Sequence, residues 1–241
     1  MLTMIVLLPM KIYFLTRLLD FIAPRMCLVC GRRLSPTEEQ ICLPCIVQLP
    51  RTLFSRRPLD NKMARQFWGL MPIERAAALF FFEPHGGPSK VVYSLKYGGN
   101  KLVGLFLGRM TANEMMPDGF FEGIDMIVPI PLAKKRLRQR GYNQSEIFAR
   151  GLGEATGIPV NAGLVARKSF RQSQTKLGRW ERMENVKDMF VLKDSENARN
   201  KHVLLVDDII TTGATVLACA EALKDVEGIK ISVLSLGFTK S

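Results

Sequence analysis

Apolar residues fall along this chain in short unbroken runs separated by stretches of helical spacing. The runs at 76–82, 124–130, 162–166, 189–192, 203–206 and 229–236 predict β-strands. Apolar residues three and four apart predict helices at 89–97, 101–115, 144–155 and 213–224, and an amphipathic helix at 11–22. Runs without polar alternation suit strands buried on both faces. Strands that alternate with helices predict an α/β fold on a mainly parallel sheet covered by helices. Residues 1–70 lack this alternation and read as an N-terminal helix with a small cysteine-bearing module. Residues 71–241 form the α/β domain.

With 241 residues, 47% of them hydrophobic, the chain can bury a sizeable core, which sets aside a disordered protein. A net charge of +12 points to anionic partners: nucleic acid, a membrane surface or phosphorylated small molecules. Its placement narrows the choice. Basic residues gather at 51–67 (Arg51, Arg56, Arg57, Lys62, Arg65), at 134–140 (Lys134, Lys135, Arg136, Arg138, Arg140) and at 167–187. Patches focused in loop-like segments favour anion sites over a diffuse solubility charge. The first apolar stretch is too short for a membrane span, no basic residues precede it and no small-residue cleavage site follows it. The chain therefore reads as cytoplasmic, starting at Met1 or Met10.

Cys27 and Cys30 form one C-x2-C turn, followed by Gly31, and Cys42 and Cys45 form another. Two such turns supply four thiolates to one tetrahedral ion and leave no open position, so the expected group is a structural zinc. Two disulfides are the rival, disfavoured where no export signal is seen. A module this small needs such a staple to fold. Cys219 lies alone among apolar residues and reads as core.

The stretch HVLLVDDIITTGAT, 202–215, places Asp207 and Asp208 at the carboxyl end of a buried strand, where open parallel sheets bind ligands. Thr211, Thr212, Gly213, Ala214 and Thr215 then open a helix. Free backbone N–H groups and the helix dipole make such a loop a phosphate site. Acceptor-only carboxylates suit vicinal ribose hydroxyls. One ligand that uses both is a ribose 5-phosphate group.

Residues 203–215 resemble the phosphoribosyl-pyrophosphate (PRPP) signature of type I phosphoribosyltransferases. More closely, the chain resembles the ComF family of competence-associated proteins. The resemblance rests on the cysteine knuckle, LKYGGN at 95–100, VPIPLAKKRLRQRGYNQ at 128–144, RQSQTKLGRWERMENV at 171–186 and VDDIITTGAT at 206–215. It implies a type I phosphoribosyltransferase fold behind a zinc ribbon, and magnesium-dependent transfer from PRPP to an acceptor that the residues do not name. Asp207 and Asp208 would hold the ribose and stabilise its cationic transition state, and residues 211–215 would hold its phosphate. A cationic loop at 129–143 would hold the diphosphate through Arg138 and Arg140. Residues 167–187 would form a hood, with Gln174, Arg179, Arg182 and Asn185 matching the family pattern. The same pocket serves in proteins that only sense PRPP. The family's link to DNA uptake adds single-stranded DNA and a competence helicase as partners, with Arg56, Arg57, Phe54, Phe67 and Trp68 as a stacking and phosphate surface. Neither His85 nor His202 suits a catalytic base, and His202 reads as structural.

Overall fold

The computed structural model describes residues 24–84, 86–168 and 189–239. The helix expected at 11–22, Met10, His85, and the hood residues Gln174, Arg179, Arg182 and Asn185 lie outside them. The chain divides into two compact units, Met1–Leu49 and Pro50–Ser241.

In the first unit the backbone folds back on itself. Cys27 N–H donates to the Arg32 carbonyl at 2.7 Å, Leu34 N–H donates to that of Arg25 at 2.8 Å, and Met26 bridges Arg33 antiparallel. Gly31, at φ 71°, makes the turn that an L side chain would strain. A short helix, α1 (Leu43–Val47), follows with a proline in its first turn. Glu38 braces the knuckle: its carboxylate accepts from Ser35 N and Leu43 N, both at 2.7 Å, and pairs with Arg32 at 3.1 Å. Those N–H groups, Ser35's first, hold its carboxyl below the usual range. The buried apolar set is small (Leu34, Ile41 and the cysteines 27, 42 and 45 among it), which is why the unit needs its thiols.

The second unit runs β1 (Arg75–Phe82), α2 (Gly87–Tyr97), α3 (Lys101–Met115), β2 (Met126–Pro129), α4 (Lys134–Arg140), α5 (Gln144–Thr156), β3 (Val165–Arg167), β4 (Phe190–Leu192), α6 (Ser195–Ala198), β5 (His202–Ile210), α7 (Ala214–Glu221) and β6 (Lys230–Thr239). Four strands make a parallel sheet in the order β1-β6-β5-β2. Val203 to Val206 are all 0% exposed, as a strand covered on both faces requires. β3 and β4 leave this sheet and pair antiparallel with each other. α3 packs on α5 through glycines: a Cβ on Gly151 would overlap the Leu105 carbonyl, and one on Gly108 the Phe148 carbonyl.

Residues 50–70, grouped by composition with the cysteine module, run along β1. Phe81 N–H donates to Pro50 O at 2.8 Å, Thr52 N–H to Leu79 O at 3.2 Å and Ala76 N–H to Pro58 O at 2.9 Å. Asn61 Nδ2 donates to Ala76 O at 2.8 Å. Phe54 meets Phe81 and Phe238 edge-on, at 5.6 and 5.7 Å between ring centroids. This segment covers an edge strand that would otherwise offer unpaired backbone groups.

Two further elements differ from expectation. The segment 134–140, expected as a loop, is the helix α4, ended by Gly141 at φ 77°. Five cations in seven positions hide its period from an apolar pattern. β5 also runs past Val206 through both aspartates, because β6 is long enough to pair Asp207 with Ser235 and Ile210 with Phe238.

Candidate functional site

β2 stops at Pro129, which pairs with Val206. Ile130 N–H makes one further bond to Val206 O at 2.9 Å, and Pro131 follows. Beyond this point β5 keeps only β6 as a neighbour. The chain leaving β2 returns through α5 to Val160, which bridges Ile127 on the outer side of β2, whereas the chain leaving β5 crosses to β6. Connections that diverge in this way open a crevice at the strands' carboxyl ends. It holds a cavity of about 330 Å³ into which Asp207 and Asp208 face.

Each carboxylate is oriented. Asp207 Oδ1 accepts from Ser145 Oγ at 2.9 Å and from Asp208 N at 2.8 Å. Asp208 Oδ1 accepts from Ile209 N at 2.7 Å, while Oδ2 pairs with Lys96 Nζ at 3.1 Å. Burial first, then the charge of Asp208, push the Asp207 carboxyl up to about 7, against the Asp208 N–H, Ser145 and Lys96.

The loop into α7 turns at Gly213, φ 72°. A Cβ there would come within 2.9 Å of Phe67 Cε1. Gln66 Nε2 holds the same loop by donating to Thr211 O at 2.9 Å. Thr211 and Thr215 line the cavity; Thr212 and Ala214 are not fully buried and lie outside its lining, and Gly213 is buried.

Of the expected diphosphate residues, Arg140 lines the cavity and Arg138 does not. The helix explains why: residues four apart share a face, so Arg136 comes with Arg140, and Arg138 points elsewhere. Arg140 donates to Gln144 Oε1 at 2.8 Å and lies 5.2 Å over the Tyr97 ring. Lys96 and Arg167 complete the cationic wall among the described residues. Burial, then the neighbouring Arg136, lower the Arg167 pKa, with Asp207 opposing them.

Sequence reasoning missed Lys96, Arg136 and Ser145 as site residues. Ser145 is placed by Asn143, which caps α5 by accepting from Ser145 N at 3.2 Å and donates Nδ2 to Ile130 O at 3.0 Å. That double anchor fixes the first turn of α5 against the end of β2 and delivers Ser145 to Asp207. His202 is buried, bonded to Ser232 Oγ at 2.8 Å.

In the first unit the ligand atoms of Cys27, Cys30, Cys42 and Cys45 all lie within 4.8 Å of one another, with Cys30 Sγ and Cys42 Sγ at 3.7 Å. Zinc–thiolate bonds of about 2.3 Å give a tetrahedral edge of about 3.8 Å, so the set fits zinc. Burial pushes the Cys27 thiol up, but N–H groups led by that of Cys42 outweigh it and bring it down to about 6. Burial, with the neighbouring thiols, pushes Cys45 up to about 12. Four thiolates held this close together need a cation between them.

The family model of the phosphoribosyl transferase domain matches residues 139–236. The DNA utilization protein YhgH of Escherichia coli K12 is 27% identical over 201 residues, 82% of this chain and 83% of that protein. Competence protein F of Haemophilus influenzae is 34% identical over 113 residues, 46% of this chain and 49% of that protein. Competence protein ComFC of Bacillus subtilis is 26% identical over 220 residues, 91% of this chain and 80% of that protein. This chain is a homologue of the ComF competence proteins. Its second unit has the type I phosphoribosyltransferase fold, and the matched residues take in α5, β5, α7 and the aspartate pair. A solved B. subtilis glutamine PRPP amidotransferase shows a looser likeness, at TM-score 0.41 and 19% identity over 59% of this chain and 30% of that one. No helix among the described residues is long and apolar enough to cross a membrane.

Proposed function

We propose that this ComF homologue binds PRPP in the crevice between β2 and β5 and transfers its phosphoribosyl group to an acceptor. The observation that carries this reading is that two carboxylates and a phosphate-type loop line a single cavity whose other wall is cationic. Asp207 and Asp208 accept hydrogen bonds from the ribose hydroxyls. The 5-phosphate meets the free N–H groups of residues 211–215 at the start of α7. Arg136, Arg140 and Arg167 face the diphosphate, guanidinium donors being suited to paired phosphate oxygens. As the C1–O bond breaks, positive charge on the ribose ring is stabilised by the two carboxylates. Magnesium bound with PRPP would supply positive charge to offset that of the diphosphate. A PRPP sensor would use the same contacts without turnover.

The test is calorimetry with PRPP and magnesium on the full chain, and on a variant carrying Asp207→Asn and Asp208→Asn. Binding to the first and a loss of at least tenfold in the second supports the reading; equal binding ends it. Pyrophosphate release separates transferase from sensor.

A second reading has its own observation. Arg56, Arg57, Lys62 and Arg65 surround a cleft of about 390 Å³ beside Asp60. Trp68 is 57% exposed, with Arg65 5.6 Å over its ring. Phe54 and Phe67, expected to stack on bases, are buried instead, because they close the core under β1 and the 211–215 loop. The surface suits single-stranded DNA, with phosphates on the arginines and one base on Trp68. A helicase partner belongs to this reading. Salt-sensitive binding weakened by Arg56→Ala with Arg57→Ala supports it; no binding at low salt removes it.

A further inference from the structure

Beside the crevice lies a larger chamber of about 690 Å³. The two share Lys96, Arg136, Arg140, Ile209 and Thr211, so the same side chains face both spaces. Their chemistry differs. The crevice holds two carboxylates; among the described residues none lines the chamber. Its apolar wall sets the aromatic rings of Phe82, Tyr93 and Tyr97 beside Val92 and Ile209. Tyr93 and Tyr97, four apart on α2, stack with ring centroids 6.1 Å apart and 29° between planes. They remain 47% and 71% exposed. Arg140 Nη1 donates to Gln144 Oε1 while its guanidinium lies over Tyr97, so a flat cationic group is already in place above the ring.

A tyrosine pair at this spacing also supports an isolated helix, but only weakly. Helix support alone explains neither the chamber nor the cations that share it. We propose that the chamber binds a planar aromatic ring carrying an anionic group. The ring lies against Tyr93 and Tyr97, and the anion meets Arg136 and Arg140. A guanidinium has five N–H donors, enough to serve a diphosphate in the crevice and an anion in the chamber together. That this ligand is the phosphoribosyl acceptor rests on the PRPP reading above; its binding does not.

Such a ring comes from two sources, a free aromatic carboxylate or a nucleotide. The experiment titrates the full chain with nicotinate, deoxyadenosine monophosphate and uncharged adenine, each with and without PRPP. Expected is binding of at least one anionic probe, with adenine at least tenfold weaker. Binding of nicotinate alone assigns a small aromatic acid, and binding of the monophosphate assigns a nucleotide. The pair Tyr93→Leu with Tyr97→Leu, both on an exposed surface, should weaken that probe about tenfold, within the range for loss of a stacked ring. Tyr93→Leu alone, which leaves Arg140 over Tyr97, should keep PRPP affinity within twofold. Tyr97→Leu alone, with an unchanged melting temperature, serves if the pair fails to fold. Adenine bound as tightly as the anions overturns the proposal, as does probe binding indifferent to the tyrosines. If PRPP binds and no probe does, the chamber proposal fails alone. If probes bind and PRPP does not, the PRPP reading fails and the chamber stands.

Discussion

Lys96 Nζ lies 3.1 Å from Asp208 Oδ2, and the two side chains are 20% and 15% exposed. The lysine comes from α2 and the aspartate from β5, so the pair ties a surrounding helix to the heart of the sheet. It also offsets the repulsion between Asp208 and Asp207.

Lys96→Met should therefore leave two adjacent carboxylates with less compensation, and cost about 1–3 kcal/mol, the range for one partner removed from a poorly exposed pair. Adding Asp208→Asn should recover part of the loss. Urea unfolding of the four chains in this cycle measures it. A coupling energy near zero would mean that the pair is formed but contributes nothing.

PRPP affinity should rise with pH and level off above about 7, the value to which burial and Asp208 push the Asp207 carboxyl. The sign follows from the direction of the shift. Below about 7 the carboxyl is protonated and cannot act as a double acceptor; above it, the carboxylate is present. Because the folded state holds the proton more tightly than an unfolded chain, Asp207 weakens the fold as pH climbs from the ordinary carboxylate range towards 7. Binding and stability thus move in opposite directions. Lys96, Ser145, Asp208 and Arg167 surround the group. Asp207→Asn should flatten both dependences, with the phosphate's own titration remaining in each profile as the common background.

Removing zinc should unfold the residues around the four thiols. A strong chelator, or Cys42→Ser, is expected to release about one zinc ion per chain and abolish protection of backbone amides between 24 and 49 in hydrogen exchange. Full protection in a metal-free chain would show that the module folds on its apolar core alone.

The parts of this molecule that a linear pattern reveals are those governed by neighbours in sequence. Val203 to Val206 announce a doubly covered strand because burial leaves no polar alternation, and Asp207, Asp208 and residues 211–215 can be read as a ligand site for the same reason. What needs a distant partner stays hidden. The extension of β5 through its aspartates depends on how far β6 runs beside it. That 162–166 and 189–192 pair with each other depends on chain geometry between them, which apolar runs do not encode. α4 is concealed by its own charge, and with it the reason that Arg136 rather than Arg138 joins Arg140. Lys96 and Ser145 reach the aspartates from separate helices, so only the folded chain assembles them.

Two glycines offer a matched test of the phosphate loop. Gly213 and Gly157 both sit in the left-handed region, at φ 72° and 74°. A methyl group at Gly157 meets nothing within 4 Å, whereas at Gly213 it would press on Phe67 Cε1 at 2.9 Å. Gly157→Ala should cost about 1–2 kcal/mol from backbone strain alone. Gly213→Ala carries the same strain plus the collision, and relieving that collision must move either Phe67 or the 211–215 backbone. Melting temperature should fall further for Gly213→Ala, and PRPP affinity should fall at least tenfold while Gly157→Ala binds as the parent chain does. If both variants bind PRPP equally well, the turn before α7 is not where its phosphate rests.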